Sequence, residues 1–546
     1  MPAFSNRRLW LVTAALGLGM IMAMLDATIM SIAVPSIVWD LRTSIPQVAW
    51  VLNGYNLGLA VLFLPMGRLA DRIGRKRVFL TGLVLFAAFS YLCGHTHTIH
   101  TLIAARIGQA IGAACIVPVS LAILLEVFPS NRRGFASGLF GAVTSLAAAL
   151  GPVVGGLLIK NWNWRWIFYI NVPLGIVALV AGALLIPKAT NRTTKTAIDY
   201  LGTILVSGGL FCLTLAIIQG NEWGWSSTRV LGLFALAAAT LAIFTWWELR
   251  APQPMLDLRL FKRRAFAAAN VAVTTVDIAM MGAAFLLVIF VVGVLGWQEL
   301  KAALAITPMP LAGFLLAPFS GRLVDRFGPR LLAVIGTLLS AFGLYLLGGI
   351  DLYTQAGDVA WRCAIIGAGF GLSLPALMAA GMSVLPARAR GVGAGARNTA
   401  RQLGFVFGVA ILVAVFSHTA TSAAKNAAAE TRPLISNNRL LPAIYKKEML
   451  LRVNAAAKVD VSKGIDEIRK LGDPTAGAPE PEPYSIAAGI VDVATVQLKL
   501  IFRSWVVNAF DWPFYTAAIA ALLGLVPALL LPRRLAPQDE DDAADS

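Results

Sequence analysis

Charge is scarce in this chain: only 13% of its 546 residues are Asp, Glu, Lys or Arg, against 58% apolar, and the mean hydropathy is +0.75. So little polar surface cannot coat water-soluble domains of this size, and the chain reads as a polytopic membrane protein. Cysteine is scarce too. Cys93, Cys115, Cys212 and Cys363 fall in or beside apolar runs without CxxC spacing, so neither a zinc site nor a disulfide framework is indicated. Of the four histidines, three sit in HTHTIH (His95, His97, His100) without the carboxylate or thiol company a metal site needs, and no metal is expected. No Walker A sequence occurs, so an ion gradient rather than ATP is the default energy source. GAGFG at 367–371 and GVGAG at 391–395 lack both GxGxxG spacing and a preceding strand, which makes them helix contacts or ends, with no cofactor implied. A cluster of His and carboxylate suited to catalysis is missing, so no enzyme is expected. The formal net charge of +17 is spread through short gaps between apolar runs, a distribution that argues against a nucleic-acid partner.

What is present is a series of apolar segments. A helix crossing a hydrocarbon core of ~30 Å needs about 20 residues. Fourteen segments qualify: 9–32, 46–66, 77–95, 99–127, 134–158, 166–187, 199–218, 229–248, 266–291, 300–320, 331–350, 361–384, 392–418 and 507–531. Alternate short loops carry the basic residues, namely Arg68, Arg72, Arg75, Lys76 and Arg77; Arg132 and Arg133; Lys188, Arg192 and Lys195; Arg259, Lys262, Arg263 and Arg264; Arg322, Arg326 and Arg330; Arg388 and Arg390. By the positive-inside rule these loops and both termini are cytoplasmic.

The charged loop GRLADRIGRKR at 67–77 returns as GRLVDRFGPR at 321–330. Gly67 precedes Arg106 by 39 residues and Pro118 by 51, while Gly321 precedes Arg362 by 41 and Pro375 by 54. The chain is therefore a duplication whose copies start on the same side, giving parallel six-helix halves with 199–248 as an inserted pair.

These motifs bring a family into view. The chain resembles the 14-helix drug/proton antiporter branch of the major facilitator superfamily, the EmrB/QacA-like multidrug efflux transporters. LDATIMSIAVP at 25–35 looks like that branch's first-helix signature, and GRLADRIGRKR is similar to the superfamily's signature loop. RIGQAIG at 106–112, GPVVGG at 151–156, WRWIFYINVPLG at 164–175 and PMLDLRLFKRRAF at 254–266 resemble further landmarks. The resemblance implies an all-α membrane protein of the major facilitator fold, working by alternating access as a proton-coupled exporter of amphipathic small molecules in the cytoplasmic (inner) membrane. Rival readings are an exporter dedicated to one metabolite, fatty acid or siderophore, and a membrane receptor or enzyme that transports nothing.

The expected layout is an N-terminal bundle over 1–187, inserted helices over 188–250, helices 9 to 13 over 251–418, an external loop over 419–506, helix 14 over 507–532 and an acidic tail over 533–546. Within the loop, EMLLRVNAAAKVDVSKGIDEIRK at 448–470 could form a helix, and 486–505 is amphipathic enough to lie on the lipid surface. If the source is Gram-negative, this segment offers a surface to a periplasmic adaptor, as in the EmrB-like pumps the chain resembles.

An ionisable residue mid-membrane costs about 2.5 to 3.5 kcal/mol even on the mildest scale, so each one present invites a functional reading. Asp26 lies 17 residues past Leu9 and Arg106 lies 7 past Ile99, about 26 Å and about 10 Å along opposite-running helices, which puts both in the outer half. They are the expected proton-responsive pair, a role the resemblance also assigns. Trp50, Asn53 and Tyr55 on the second span are candidate substrate contacts, as are Asp277, Arg397 and Arg401 in the second half, where Asp277 and Arg401 reach similar depth. Few carboxylates there leave room for neutral or anionic compounds. The resemblance implies that the loop with Gly67, Asp71, Arg72, Gly74 and Arg75 latches the outward-facing state, with a weaker copy at Asp325 and Arg326, where Pro329 replaces Arg75. Gly67 and Gly74 are read as room for closely approaching helix ends. Gly151, Pro152, Gly155 and Gly156 belong to the stretch that resembles the family's antiporter motif, and are expected to pack a bent helix closely against another.

Overall fold

The computed structural model describes residues 6–128, 133–187, 199–252, 254, 256, 258–385, 390–456 and 486–534, and these are helical almost throughout. The helices are α1 (Asn6–Asp40), α2 (Ile45–Ile73), α3 (Arg75–Gly94), α4 (Ile99–Val127), α5 (Arg133–Asn161) and α6, which runs from Trp166 to Leu185 with a break at Ile170. Then come α7 (Tyr200–Trp223), α8 (Thr228–Glu248), α9 (Arg264–Val288, continued by a π segment Ile289–Val294) and α10 (Glu299–Ile306 with Pro308–Phe327). The chain ends with α11 (Pro329–Leu347), α12 (Ala356–Ser383), α13 (Arg390–Ser436), α14 (Ala443–Ala456) and α15 (Ile486–Leu523, extended by Leu525–Leu529). Among the described residues twelve helices are long and apolar enough to span, and α2, bent by 50° between Phe63 and Pro65, makes thirteen if taken as one span. The expected fourteenth span is α5, a 29-residue helix whose described apolar part is Ala149–Asn161.

Local chemistry sets the helix ends. Ser44 Oγ accepts from the Gln47 backbone N–H, and the Ser44 N–H donates to Gln47 Oε1 in return, a capping box that starts α2. The corners α2–α3 and α10–α11 each turn on a glycine in the left-handed region, Gly74 at φ 104° and Gly328 at φ 81°, so the duplication extends to backbone conformation. This corrects one expectation. A Cβ at Gly67 or Gly74 would meet nothing within 4 Å, so close approach is not their purpose; Gly74 is required by its φ.

Helices α1–α6 form one bundle and α9–α13 with α15 the other, while α7 lies across the seam between α2 and α13 and α8 packs on α7. There Leu57 and Val61 of α2 share a core with Val206 and Leu210 of α7, Phe244 of α8 and Val406 of α13. Buried apolar side chains otherwise divide by depth. Towards the face opposite the 67–77 loop, one continuous cluster joins both bundles, from Ile29, Ile32 and Ile37 of α1 to Leu286, Ile289 and Phe290 of α9. Towards the basic face the described core falls into one cluster within the first bundle and two within the second. The bundles are thus sealed together at the far face and have separate cores at the basic one.

The 419–506 segment departs from expectation. Residues 419–436 continue α13, a 47-residue helix about 70 Å long, and 486–506 belong to the 38-residue α15, so 486–505 does not lie on the bilayer as a separate helix. The reason is packing. Ala423, Ala424, Ala427 and Ala428 give α13 a strongly helix-favouring, narrow face on which Leu498, Phe502 and Val506 of α15 are buried. Of the anticipated helix at 448–470 the structure describes residues up to Ala456, within α14; the rest, like Arg132, Lys188, Arg192, Lys195, Arg388, the PTAGAPEPEPY stretch and the acidic tail, lies outside the described residues.

Candidate functional site

Asp26 of α1 and Arg106 of α4 meet inside the first bundle, 0% and 1% exposed, with Arg106 Nη1 donating to Asp26 Oδ2 at 2.5 Å. The other carboxylate oxygen accepts from Gln109 Nε2 at 2.9 Å and from Asn171 Nδ2 of α6 at 3.0 Å. Arg106 Nη1 also donates to Gln109 Oε1 at 2.6 Å, and its Nε donates to the Val51 carbonyl of α2 at 3.3 Å. Gln109 donates further to Ser90 Oγ of α3 at 2.7 Å. Beneath the guanidinium lies the Tyr55 ring, 4.2 Å from Arg106 Cζ, its hydroxyl donating to the Ala23 carbonyl. Groups from five helices of one bundle therefore meet around a single carboxylate and its guanidinium, with three donors on the two carboxylate oxygens.

Sequence reasoning placed Asp26 and Arg106 but missed Gln109, Asn171 and Ser90. Gln109 stands one turn from Arg106 on the same helix face, within the quoted RIGQAIG, and that spacing is the signal that could have found it. Of the second-span candidates, Asn53 is buried with neither amide atom hydrogen-bonded among the described residues, and Tyr55 is enclosed under Arg106. Trp50 turns away to the inserted pair, with its ring centroid 5.5 Å from that of Phe211 on α7.

In the second bundle Asp277 of α9 is 0% exposed and faces Arg401 of α13 at 3.5 Å from Oδ2 to Nε. This contact is loose: neither Asp277 oxygen nor Arg401 Nε makes a hydrogen bond among the described residues. Arg397, one turn away, donates to the Leu374 carbonyl of α12 at 3.4 Å. Backbone proximity positions this pair, since a Cβ at Gly404 would press on Asp277 Cβ at 2.8 Å and the Thr274 carbonyl at 2.9 Å. The first bundle repeats the device: a Cβ at Gly151 would strike Thr28 Oγ1 of α1, and one at Gly155 would meet Ile32 and Ile29 at 2.6 and 2.7 Å. Gly156 differs, because a Cβ there would lie 2.9 Å from Leu300 Cα of α10, in the other bundle. Beside it Ser36 of α1 donates to Glu299 of α10 at 2.8 Å. Pro152 lies within α5 between these contacts.

At the basic face Asp71 pairs with Arg75 of its own loop at 3.1 Å, and Arg75 also reaches Glu126 of α4 at 3.2 Å and the Ala122 carbonyl. Glu126 is a partner the sequence reading missed. No ion pair joins Asp71, Arg72, Asp325 or Arg326 to the other bundle among the described residues; Arg326 lies over the Phe327 ring. Arg68 instead donates to the Pro254 carbonyl in the connection that leads into α9.

Comparison with known proteins fits this geometry. The Major Facilitator Superfamily profile matches residues 16–409. The Tetracenomycin C resistance and export protein of Streptomyces glaucescens is 33% identical over 414 residues, covering 75% of this chain and 77% of that one. The multidrug resistance protein Stp of Mycobacterium tuberculosis is 32% identical over 413 residues, 76% of each chain. A solved bacterial homologue of the human lysosomal transporter Spinster shares the fold with a TM-score of 0.59 at 15% identity, covering 98% of this chain and 100% of that one. With its two helical bundles and a profile match across most of its length, this chain belongs to the Major Facilitator Superfamily of membrane transporters.

Proposed function

We propose that this transporter exports amphipathic small molecules across the cytoplasmic membrane in exchange for protons, with Asp26 and Arg106 as the coupling pair and both termini in the cytoplasm. The observation that carries the reading is one carboxylate, fully buried within the first bundle and held by a guanidinium and two amides that compete with any proton for it. A proton can reach this carboxylate only where the Arg106 contact parts, which ties proton exchange to a rearrangement of the first bundle. The names of the relatives, an export protein and a multidrug resistance protein, support outward transport of such compounds. With the basic face inside, the far-face seal corresponds to an inward-facing state. The test is reconstitution in proteoliposomes with a trapped pH indicator and a panel of candidate amphipaths. Substrate addition should evoke proton movement in the opposite direction. Transport of a panel compound with no accompanying proton flux would overturn the coupling, and response to a single compound would favour a dedicated exporter.

The loop at 67–77 is the latch of the alternate state in this reading, disengaged here because Asp71 is held by Arg75 of its own loop. Asp71→Asn is expected to slow transport about tenfold, the equivalent of one charge-assisted hydrogen bond, while membrane insertion is unchanged. Initial rates of substrate efflux at matched membrane expression provide the check. The rods formed by α13 and α15 would project outside, where they offer a surface to a periplasmic adaptor in a Gram-negative cell.

A further inference from the structure

The two buried ion pairs are built differently, and the difference points to a substrate class. Asp26 has a donor on each oxygen and a guanidinium at 2.5 Å. Among the described residues Asp277, equally buried, has one ion-pair partner, Arg401 at 3.5 Å, and no hydrogen bond on either oxygen. Against this single carboxylate stand two guanidinium groups, Arg397 and Arg401, so the cluster carries one unmatched positive charge.

The placement of these arginines is fixed by the rest of α13. Thr399 donates to the Ala60 carbonyl of α2, and Val406 joins the core shared with α2 and α7, so that side of the helix faces the other bundle and the inserted pair. Residues 397, 401, 404 and 408 fall on the opposite side at helical spacing. Gly404 and Gly408 press against α9 there, Arg397 reaches α12, and Arg401, 28% exposed beside Asp277, keeps donors to spare. Two such forks one turn apart repel each other and favour an anion that both can reach.

We propose that Arg401, assisted by Arg397, binds the anionic head of a monoanionic amphipath, a carboxylate or phenolate on an apolar ring body, and that Asp277 occupies Arg401 until such an anion displaces it. This inference rests on the exporter reading for its transport consequence, but the recognition step stands apart from proton coupling. An anion forms the bidentate bonds that Asp277 lacks. A cation meets two like charges. A neutral compound neither gains nor loses.

The test uses the purified full chain and three probes of nearly the same shape: 1-naphthoate, 1-naphthamide and 1-naphthylmethylammonium, with binding followed by tryptophan quenching. Naphthoate is expected to bind most tightly, and Arg401→Gln to weaken it about tenfold to a hundredfold while the amide changes less than twofold. Arg401→Lys, which keeps charge but loses the fork, should recover only part of the loss. Asp277→Asn is the second discriminating variant: with its competitor gone, Arg401 should hold naphthoate several-fold more tightly. Equal loss for all three probes in Arg401→Gln, or weaker naphthoate binding in Asp277→Asn, overturns the proposal and leaves the pair structural. Proton-coupled transport of the neutral amide, measured in the same variants, separates the two readings. If it persists without anion selectivity, only the recognition proposal has failed.

Discussion

Asp26→Asn is expected to abolish proton-driven transport while leaving substrate exchange without a proton gradient. The amide is nearly the same size as the carboxylate, so packing in the first bundle is retained, but the hydrogen-bond pattern is not. Oδ1 accepts from Gln109 and Asn171 and Oδ2 accepts from Arg106, so every approach to this side chain is made by a donor. An asparagine has one oxygen to offer. Its amino group must therefore face either Arg106 or the two amides, donor against donor, and in both cases the guanidinium loses its counter-charge. Breaking a buried pair by removing one partner typically costs about 3 to 5 kcal/mol, so lower thermal stability should accompany the transport defect. Asp26→Glu keeps the charge and shifts its position by one methylene, and it should restore part of the coupling. The measurement is paired counterflow and gradient-driven uptake in the same proteoliposomes. Coupling predicts loss of the second with survival of the first. Equal loss of both, in a protein that still purifies as a monodisperse species, would make Asp26 a packing element.

This pair was legible in the sequence because charge in an apolar run is costly and therefore conspicuous, and because depth follows from the rise per residue. The amides around it were not. Gln109 and Asn171 are cheap enough to occur anywhere in such helices, and only the convergence of α3, α4 and α6 on Asp26 gives them a role. Glu126 lies near the basic end of α4, where a carboxylate costs little, so nothing in its local sequence marks it as the partner of Arg75. The same logic explains the outer segments of α13 and α15. Hydropathy falls after residue 418, which suggests a loop, yet alanine at 423, 424, 427 and 428 permits close helix contact, and burial of Leu498 and Phe502 decides the matter at tertiary level. The bundle duplication, by contrast, was visible as repeated spacings and reappears as the paired corners at Gly74 and Gly328.

Gly156→Val should be the second most damaging change, and for a reason distinct from its neighbour. In GPVVGG two glycines face inward: Gly151 and Gly155 seat α5 on Thr28, Ile29 and Ile32 of α1, within one rigid bundle. Gly156 alone faces the backbone of α10 across the seam, with Leu300 Cα 2.9 Å from where a Cβ would stand and Ala303 Cβ at 3.1 Å. A backbone atom has no rotamer to yield. The bundles must part at the far face, breaking the Ser36–Glu299 hydrogen bond, while each bundle keeps its own core. Gly155→Val, by contrast, overpacks α1 against α5 and should cost about 1 to 3 kcal/mol of stability without favouring either state. The two outcomes separate in one experiment. The four native cysteines are all buried, so a cysteine introduced at Ser36 reports the far face with little background. In the native protein it should react slowly with an impermeant maleimide. In Gly156→Val it should react at least about tenfold faster, because a seam biased by 1.4 kcal/mol changes its open population by that factor. Transport should fall about tenfold or more with it, since a bias towards one face slows the return step of the cycle. Unchanged Ser36→Cys reactivity with transport intact would show that the seam tolerates a side chain, and that α5 and α10 separate by a route other than this contact.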